Sequence, residues 1–313
     1  MQDKRMGSVT GLERVTYGVE DMALGKRFFR DWGLKLVSDG PDRVVFATLE
    51  GSEVELRPID APDLPPAIEP GSTVREVTWG VKGPADLERL HADLRSAGDV
   101  QAAEDGSLRC FDPSGLALRF QVSRRRVADV KGCPTNSYGH HPRKNQPSRI
   151  YDSAEPVRLS HIVINTADLA RHQAFYMEVL GFHLSDSYPG DGVFLRCQAE
   201  GGHHDLFLLR HAQGKVGLNH VSFMVRDIYE VFGGGINVTR LGWETHIGPG
   251  RHPISSAIFW YVKCPCGGLV EYYADEDYLT ADWVPRELPR TAASFAEWSI
   301  VGGIDSETRK QKR

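Results

Sequence analysis

The chain has 313 residues, 41% hydrophobic and 25% charged, which is length for two domains and apolar content for full cores. A formal net charge of −5 is mild for this length and suggests neither nucleic acid nor an anionic membrane as partner, and no apolar run reaches the roughly 18 residues of a spanning helix. Five cysteines, an odd number, and a polar start over residues 1–8 lead to the expectation of a reducing cytoplasm.

Taken in chain order, the first predicted element is a half-buried strand at residues 12–19, Leu-Glu-Arg-Val-Thr-Tyr-Gly-Val. A helix is expected from Met22 to Trp32 with Gly33 as its stop, then short strands at 44–49 and 53–59. A second strand of the same pattern follows at 74–81, and this module closes on Asp-Pro-Ser-Gly-Leu-Ala-Leu-Arg-Phe at 112–120. Residues 123–157 are polar and turn-rich and read as an ordered linker, in which His140 and His141 form a solvated pair. A third copy of the strand lies at 159–166. Leu169, Tyr176, Val179 and Leu180 then share one helical face, Gly181 is the stop, and strands are expected at 192–198 and 205–210. The fourth copy lies at 218–225, and its module closes on Cys-Pro-Cys-Gly-Gly-Leu-Val-Glu-Tyr at 264–272. Cys264 and Cys266, one residue apart, fit a turn before a strand better than a redox or zinc pair. The tail brings Trp283, Pro285, Pro289 and an apolar stretch around Phe295 and Trp298, predicted to lie across the second pair of modules; residues 306–313 are charged and expected to lack order.

Stacking the four strands, and the two module endings, gives one βαβββ unit used four times. The predicted fold is α+β, with the four modules paired into two domains, each a curled mixed sheet around a central cavity. The boundaries are 10–122 for the first domain, 123–157 for the linker, 158–280 for the second domain and 281–313 for the tail.

His161 and His220 fall at the same place in copies three and four, and Glu271 on the strand that ends copy four. Two neutral imidazoles and one carboxylate leave half an octahedron open, the facial set that suits non-haem Fe(II); Mn(II) accepts the same donors. The alternative is a pair of polar-bonded core histidines beside a salt-bridged glutamate. In copies one and two the stacked positions are Arg14, Glu76 and Arg119. A guanidinium only donates, so the first domain is expected to hold no metal and to carry an ion-paired cluster instead.

These segments resemble the type I extradiol ring-cleavage dioxygenases of the vicinal oxygen chelate superfamily, over about residues 10–280 and most closely over 159–280. The resemblance implies an enzyme that inserts both atoms of O2 into a small aromatic diol or triol, and a homo-oligomer. It assigns the acid–base role to His204, in His203-His204-Asp205, with a slip of one residue to His203 as the alternative. It assigns to His252, after Gly248-Pro-Gly-Arg, a hydrogen bond to the substrate phenolate, and to Tyr261 a hydrogen bond to the substrate oxygen or an intermediate. A solvated loop histidine and a satisfied core tyrosine are the plainer readings of those two. Relatives that cleave carboxylated catechols carry an arginine five residues before the histidine matching His252; this chain has Ile247 there, which points to a substrate without a charged side chain. Arg196 and Arg251 are the other candidate anchors. Two rivals share the fold. One is a glyoxalase-like isomerase or metal-dependent transferase, which a second glutamate in the site would favour. The other is a non-enzymatic small-molecule-binding protein.

Overall fold

Two long, buried strands pair antiparallel at the heart of each of two sheets, and everything else is arranged around them. The computed structural model describes residues 8–304, so the expectation for residues 306–313 lies outside the described residues. The first half runs β1 (Val9–Val19), α1 (Met22–Asp31), β2 (Lys35–Asp39), β3 (Val44–Ala47), β4 (Glu53–Pro58), β5 (Thr73–Val81), α2 (Pro84–Ala97), β6 (Gln101–Ala102), β7 (Leu108–Phe111) and β8 (Ala117–Val122). The second half runs β9 (Arg158–Thr166), α3 (Leu169–Ala174), β10 (His183–Tyr188), β11 (Gly192–Arg196), β12 (Gly201–Gly202), β13 (Leu206–Arg210), β14 (Gly217–Met224), α4 (Ile228–Arg240), β15 (Thr245–Arg251), β16 (Ile258–Lys263) and β17 (Leu269–Ala274). The C-terminal segment adds β18 (Tyr278–Leu279), β19 (Arg286–Glu287), α5 (Ala292–Phe295) and β20 (Trp298–Val301).

The sheet orders are β2-β3-β4-β1-β5-β8-β7-β6 and β19-β10-β11-β13-β9-β14-β17-β16-β15-β20, so the same topology occurs twice, the second time with two added edge strands. This is the expected mixed α+β repeat, and neither sheet closes into a barrel. The register repeats with it. In the second sheet His161 stands opposite Ser222, and Ser222 stands beside Glu271. In the first, Arg14 stands opposite Thr78, and Thr78 beside Arg119. His220 and Glu76 likewise occupy matching places, paired with Val163 and Leu269 in one sheet and with Thr16 and Ala117 in the other.

Local sequence explains the helices. Asp21, Asp168 and Asp227 each cap a helix, accepting from the backbone N–H of Leu24, Arg171 and Glu230. Gly33 and Gly181 end the first and third at φ +88° and +76°, as their positions in the sequence predict. The third helix departs from a regular α-helix: Phe175–Val179 widens into a π-turn. In α4 three consecutive glycines, Gly233 to Gly235, sit where propensity is poorest. Close approach explains the last two: a Cβ on Gly234 would meet Ala154 and Tyr272 at 2.6 and 2.9 Å, and one on Gly235 would meet the Trp260 ring at 2.0 Å. The halves share one apolar core, in which Trp32 stacks on Tyr272 at 3.5 Å between ring centroids.

Residues 123–157 are irregular but tied down at both ends, by Arg125 to Glu13 at 2.7 Å and by Tyr151 to Asp227 at 2.8 Å. His140 and His141 are exposed. Cys264 and Cys266 flank a turn before β17 with both thiols free. The C-terminal segment crosses the second sheet at both edges, β19 along β10 and β20 along β15. No described helix is long and apolar enough to cross a membrane.

The first sheet corrects one expectation. Arg119 does face Glu76, at 4.0 Å, but Arg14 does not join them. Its partner in the register is Glu53 on the adjacent β4, so Arg14 pairs with Glu53 and Glu55, and Glu76 takes Arg109 of β7 at 2.6 Å. The ion pairs thus form along the sheet rather than as one central cluster.

Candidate metal centre and its cavity

β9, β14 and β17 are neighbours in the sheet, so inward-facing side chains at matched register converge. His161 Nε2 lies 3.4 Å from His220 Nε2 and 3.2 Å from Glu271 Oε2, and His220 Nε2 lies 3.6 Å from that same oxygen. Donors on one face of an ion, each about 2.1 Å from it, stand roughly 3 Å apart, so this triangle fits a first-row divalent cation after a small contraction. All three side chains are buried. Burial drives the His220 pKa down to about 3, so the ring is neutral and a lone pair is available. Burial works against the Glu271 charge, but the close imidazoles of His161, His252 and His220 outweigh it and hold the carboxyl well below its usual value. Among the described residues no Lys or Arg pairs with Glu271; its ionisable partners are imidazoles and the Tyr261 phenol. A buried carboxylate with no Lys or Arg beside it suits the counter-charge that a divalent ion would supply.

Neighbours orient the donors. His220 Nδ1 donates to Asn219 Oδ1 at 2.8 Å, which leaves Nε2 as the free lone pair, and Ser222 Oγ donates to Glu271 Oε2 at 2.5 Å. His161 Nδ1 is buried without a hydrogen-bond partner.

The remaining sequence-predicted residues line the same space. An inner cavity of 70 Å³ is bounded by His161, His204, His220, His252, Tyr261 and Glu271, among others. It opens towards an outer one of 440 Å³, and Val163, Tyr188, Phe207, His220, Tyr261 and Phe295 face both. His252 Nδ1 donates to the Phe295 carbonyl at 2.7 Å, so its Nε2 accepts from the Tyr261 hydroxyl at 3.1 Å. Burial, and the nearby Glu271 carboxylate after it, push the Tyr261 pKa well up, so the phenol keeps its proton and remains a donor. His204 packs on His161 with ring centroids 4.1 Å apart; burial and then the neighbouring histidines drive its pKa well below the usual value.

Residues 158–272 match a family model described as Glyoxalase/Bleomycin resistance protein/Dioxygenase superfamily. The 2,2',3-trihydroxybiphenyl dioxygenase of Sphingomonas paucimobilis is 34% identical over 213 residues, covering 64% of this chain and 69% of that protein. The chain belongs to this superfamily, in its extradiol dioxygenase branch. Metapyrocatechase 2 of Cupriavidus necator is 30% identical over 207 residues, covering 63% of this chain, and the match spans 62% of that protein's length. Among solved structures, the Mn(II)-bound glyoxalase from Novosphingobium aromaticivorans overlays with a TM-score of 0.75 at 23% identity, covering 98% of this chain and 96% of its own, a likeness of fold. Members of the superfamily's dioxygenase branch bind a metal.

Five residues in or behind the cavity wall escaped the sequence reading. Asn219 and Ser222 sit beside predicted ligands, and their role follows only from the register. Asp186 and Arg286 lie behind the cavity wall, where strand pairing with the tail brings them together beside His203. A second glutamate, sought in copy three, comes instead from the end of copy four: Glu276 lines the inner cavity, 3.6 Å from His204 Nδ1. His161, His204 and Glu276 are themselves close enough to hold an ion. Burial, with the charge of Asp205 behind it, lifts the Glu276 pKa to about 8, so the acid is protonated near neutrality and is a poor ligand. The ionised Glu271 set is the better site.

Proposed function

We propose that the protein is an Fe(II)-dependent extradiol dioxygenase, in which His161, His220 and Glu271 hold the metal and a catechol or trihydroxybenzene without a charged side chain is opened with both atoms of O2. The observation that carries this reading is that one buried cavity brings together a facial donor set and three proton-handling groups, His204, His252 and Tyr261. The 30% and 34% identical relatives, named metapyrocatechase 2 and 2,2',3-trihydroxybiphenyl dioxygenase, support it over the isomerase reading. Bound Fe(II) would supply a Lewis-acid and one-electron centre at which the diol and O2 meet.

The chain's own residues supply the rest. Glu271 presents an anionic donor and His220 a neutral one without needing to lose a proton at neutral pH, and His161 completes the set. The Phe295 carbonyl fixes the His252 ring so that Nε2 faces Tyr261 and the cavity, where the pair can take and return the hydrogen bond of a substrate hydroxyl. His204, lining the same cavity, holds or gives a proton at the ring edge. Tyr188, Phe194 and Phe207 form an apolar side wall that excludes water from the site.

The test is anaerobic reconstitution with Fe(II), addition of catechol, then air. One metal per chain, O2 uptake and a new near-visible product band are expected, and His220→Ala should lose the metal while keeping the far-UV spectrum. Full iron in that variant, or isomerisation of a glyoxal-type adduct in place of O2 uptake, defeats the reading.

A further inference from the structure

His203, beside the acid–base histidine, is fully buried and touches no part of the cavity wall, yet it is part of a continuous hydrogen-bonded line. Its Nε2 lies 2.9 Å from Asp186 Oδ2, and its Nδ1 lies 3.1 Å from His204 Nδ1. Asp186 is also fully buried and receives three further donors from one residue of the C-terminal segment: the Arg286 backbone N–H at 2.7 Å, Nε at 3.1 Å and Nη2 at 2.5 Å. An acid with that many donors is a carboxylate and only accepts.

The donors and acceptors can then be assigned in turn. Asp186 accepts, so His203 Nε2 carries the hydrogen. A neutral His203 protonated at Nε2 has a lone pair at Nδ1. The contact to His204 therefore requires the hydrogen to sit on His204 Nδ1. Glu276 Oε1, 3.6 Å from that same nitrogen, adds a second oxygen beside it. The nitrogen left for the cavity is Nε2, with its lone pair free.

We propose that Asp186 and His203, locked by Arg286, are positioning residues that fix His204 in its Nδ1–H tautomer and so aim a proton-accepting Nε2 at the substrate. The proposal rests on the dioxygenase reading for its catalytic consequence, though the tautomer assignment does not. A proton leaving the substrate hydroxyl forms a bond to His204 Nε2. The resulting imidazolium keeps its Nδ1–H bond to His203, faces the Asp186 carboxylate through that ring, and returns the same proton later, so nothing is consumed. The line also explains why the tail is woven into the sheet at β19: Asp186 and Arg286 are register partners, so the strand pairing itself delivers the guanidinium.

Two measurements test it. Imidazole ¹⁵N spectra of the Zn(II)-loaded chain should give the Nδ1–H form for His204 and the Nε2–H form for His203, with both reversed in Asp186→Asn, whose amide can donate where the carboxylate accepted. An Nε2–H form of His204 in the unmodified chain overturns the proposal, whether or not the protein opens any catechol. In the Fe(II) enzyme, Asp186→Asn should keep a full metal complement and a KM within about threefold, while kcat falls roughly 10²-fold. His203→Gln, which offers a carbonyl oxygen to His204 Nδ1, should recover most of the turnover that His203→Met loses. Equal activity of the Gln and Met variants, or an unchanged kcat in Asp186→Asn, rejects a positioning role. Absence of any catechol turnover in the unmodified enzyme defeats the dioxygenase reading alone, and the spectra still decide the tautomer.

Discussion

At the scale of single residues, burial sets protonation, and protonation sets role. His204 and Glu276 face each other in the same wall, the one driven neutral and the other driven to hold its proton. If His204 acts on protons and not on the metal, His204→Phe should retain iron and bind catechol, with turnover down roughly 10²–10⁴-fold; loss of metal in that variant would make it a ligand. Glu276 gives a pH signature. Its folded pKa is about 8 against an ordinary value of 4.5, so between those values the native state binds more protons than the unfolded chain, and stability falls as pH rises. Glu276→Gln removes that penalty and keeps the shape. The melting temperature of the metal-free variant should therefore exceed that of the parent increasingly from about pH 5 to about pH 8 and level off above. A constant difference across that range would mean that Glu276 is ionised throughout. The site residues were not equally legible in the sequence. The triad came out of repeat alignment, because stacked copies carry positional information, whereas His204 came from the family resemblance of its segment. Glu276 lies beyond the last aligned strand, where no copy exists to compare it with.

At the scale of elements, the repeat made the strands legible and side-chain approach decided the rest. Strand ends fell within a residue or two of expectation for β3, β4, β11 and β13. The expected meeting of Arg14 with Glu76 failed because alternation gives the face of a residue but not which neighbour on that face it reaches, and Glu53 was nearer. Helix α4 shows the same limit from the other side. Its glycine run reads as a break by propensity, yet the helix is continuous, since tight packing on Trp260 and Tyr272 offsets the intrinsic cost. Gly235→Ala tests which term wins. Alanine gains about 1 kcal/mol of helix propensity, but a Cβ 2.0 Å from the Trp260 ring has no room. Net destabilisation of about 1–3 kcal/mol is expected from denaturant unfolding, the usual cost of overpacking. A stabilised variant would show that α4 can shift away from the sheet.

At the scale of the whole molecule, the second sheet differs from the first by what the C-terminal segment adds, and that segment touches the cavity from two sides. The Phe295 carbonyl orients His252, Arg286 holds Asp186, and Phe295 and Arg290 face the outer cavity. The segment therefore also bears on which ring the site accepts. Ile247 faces the outer cavity, and the two arginines that could have replaced a missing anchor are already engaged. Arg196 is buried, with its guanidinium on the Leu184 and Ala199 carbonyls and Ser185 Oγ, and Arg251 pairs with Glu297 at 2.5 Å. Among the described residues Arg290 is the remaining Lys or Arg lining the outer cavity; it is 41% exposed and shared with Asp191 at 3.9 Å. An exposed pair of that kind contributes about 1 kcal/mol at most, less than the cost of stripping water from a carboxylate in the apolar interior. A methylcatechol or trihydroxytoluene should thus exceed a carboxymethyl catechol in kcat/KM by at least about tenfold, ~1.4 kcal/mol in transition-state free energy. Arg290→Ala should leave the neutral substrate's kcat/KM within about threefold, and it should lower that of the carboxylated one by less than about tenfold. Equal or reversed preference in the parent enzyme, abolished by Arg290→Ala, would make Arg290 a true carboxylate anchor and would assign substrate selection to the tail.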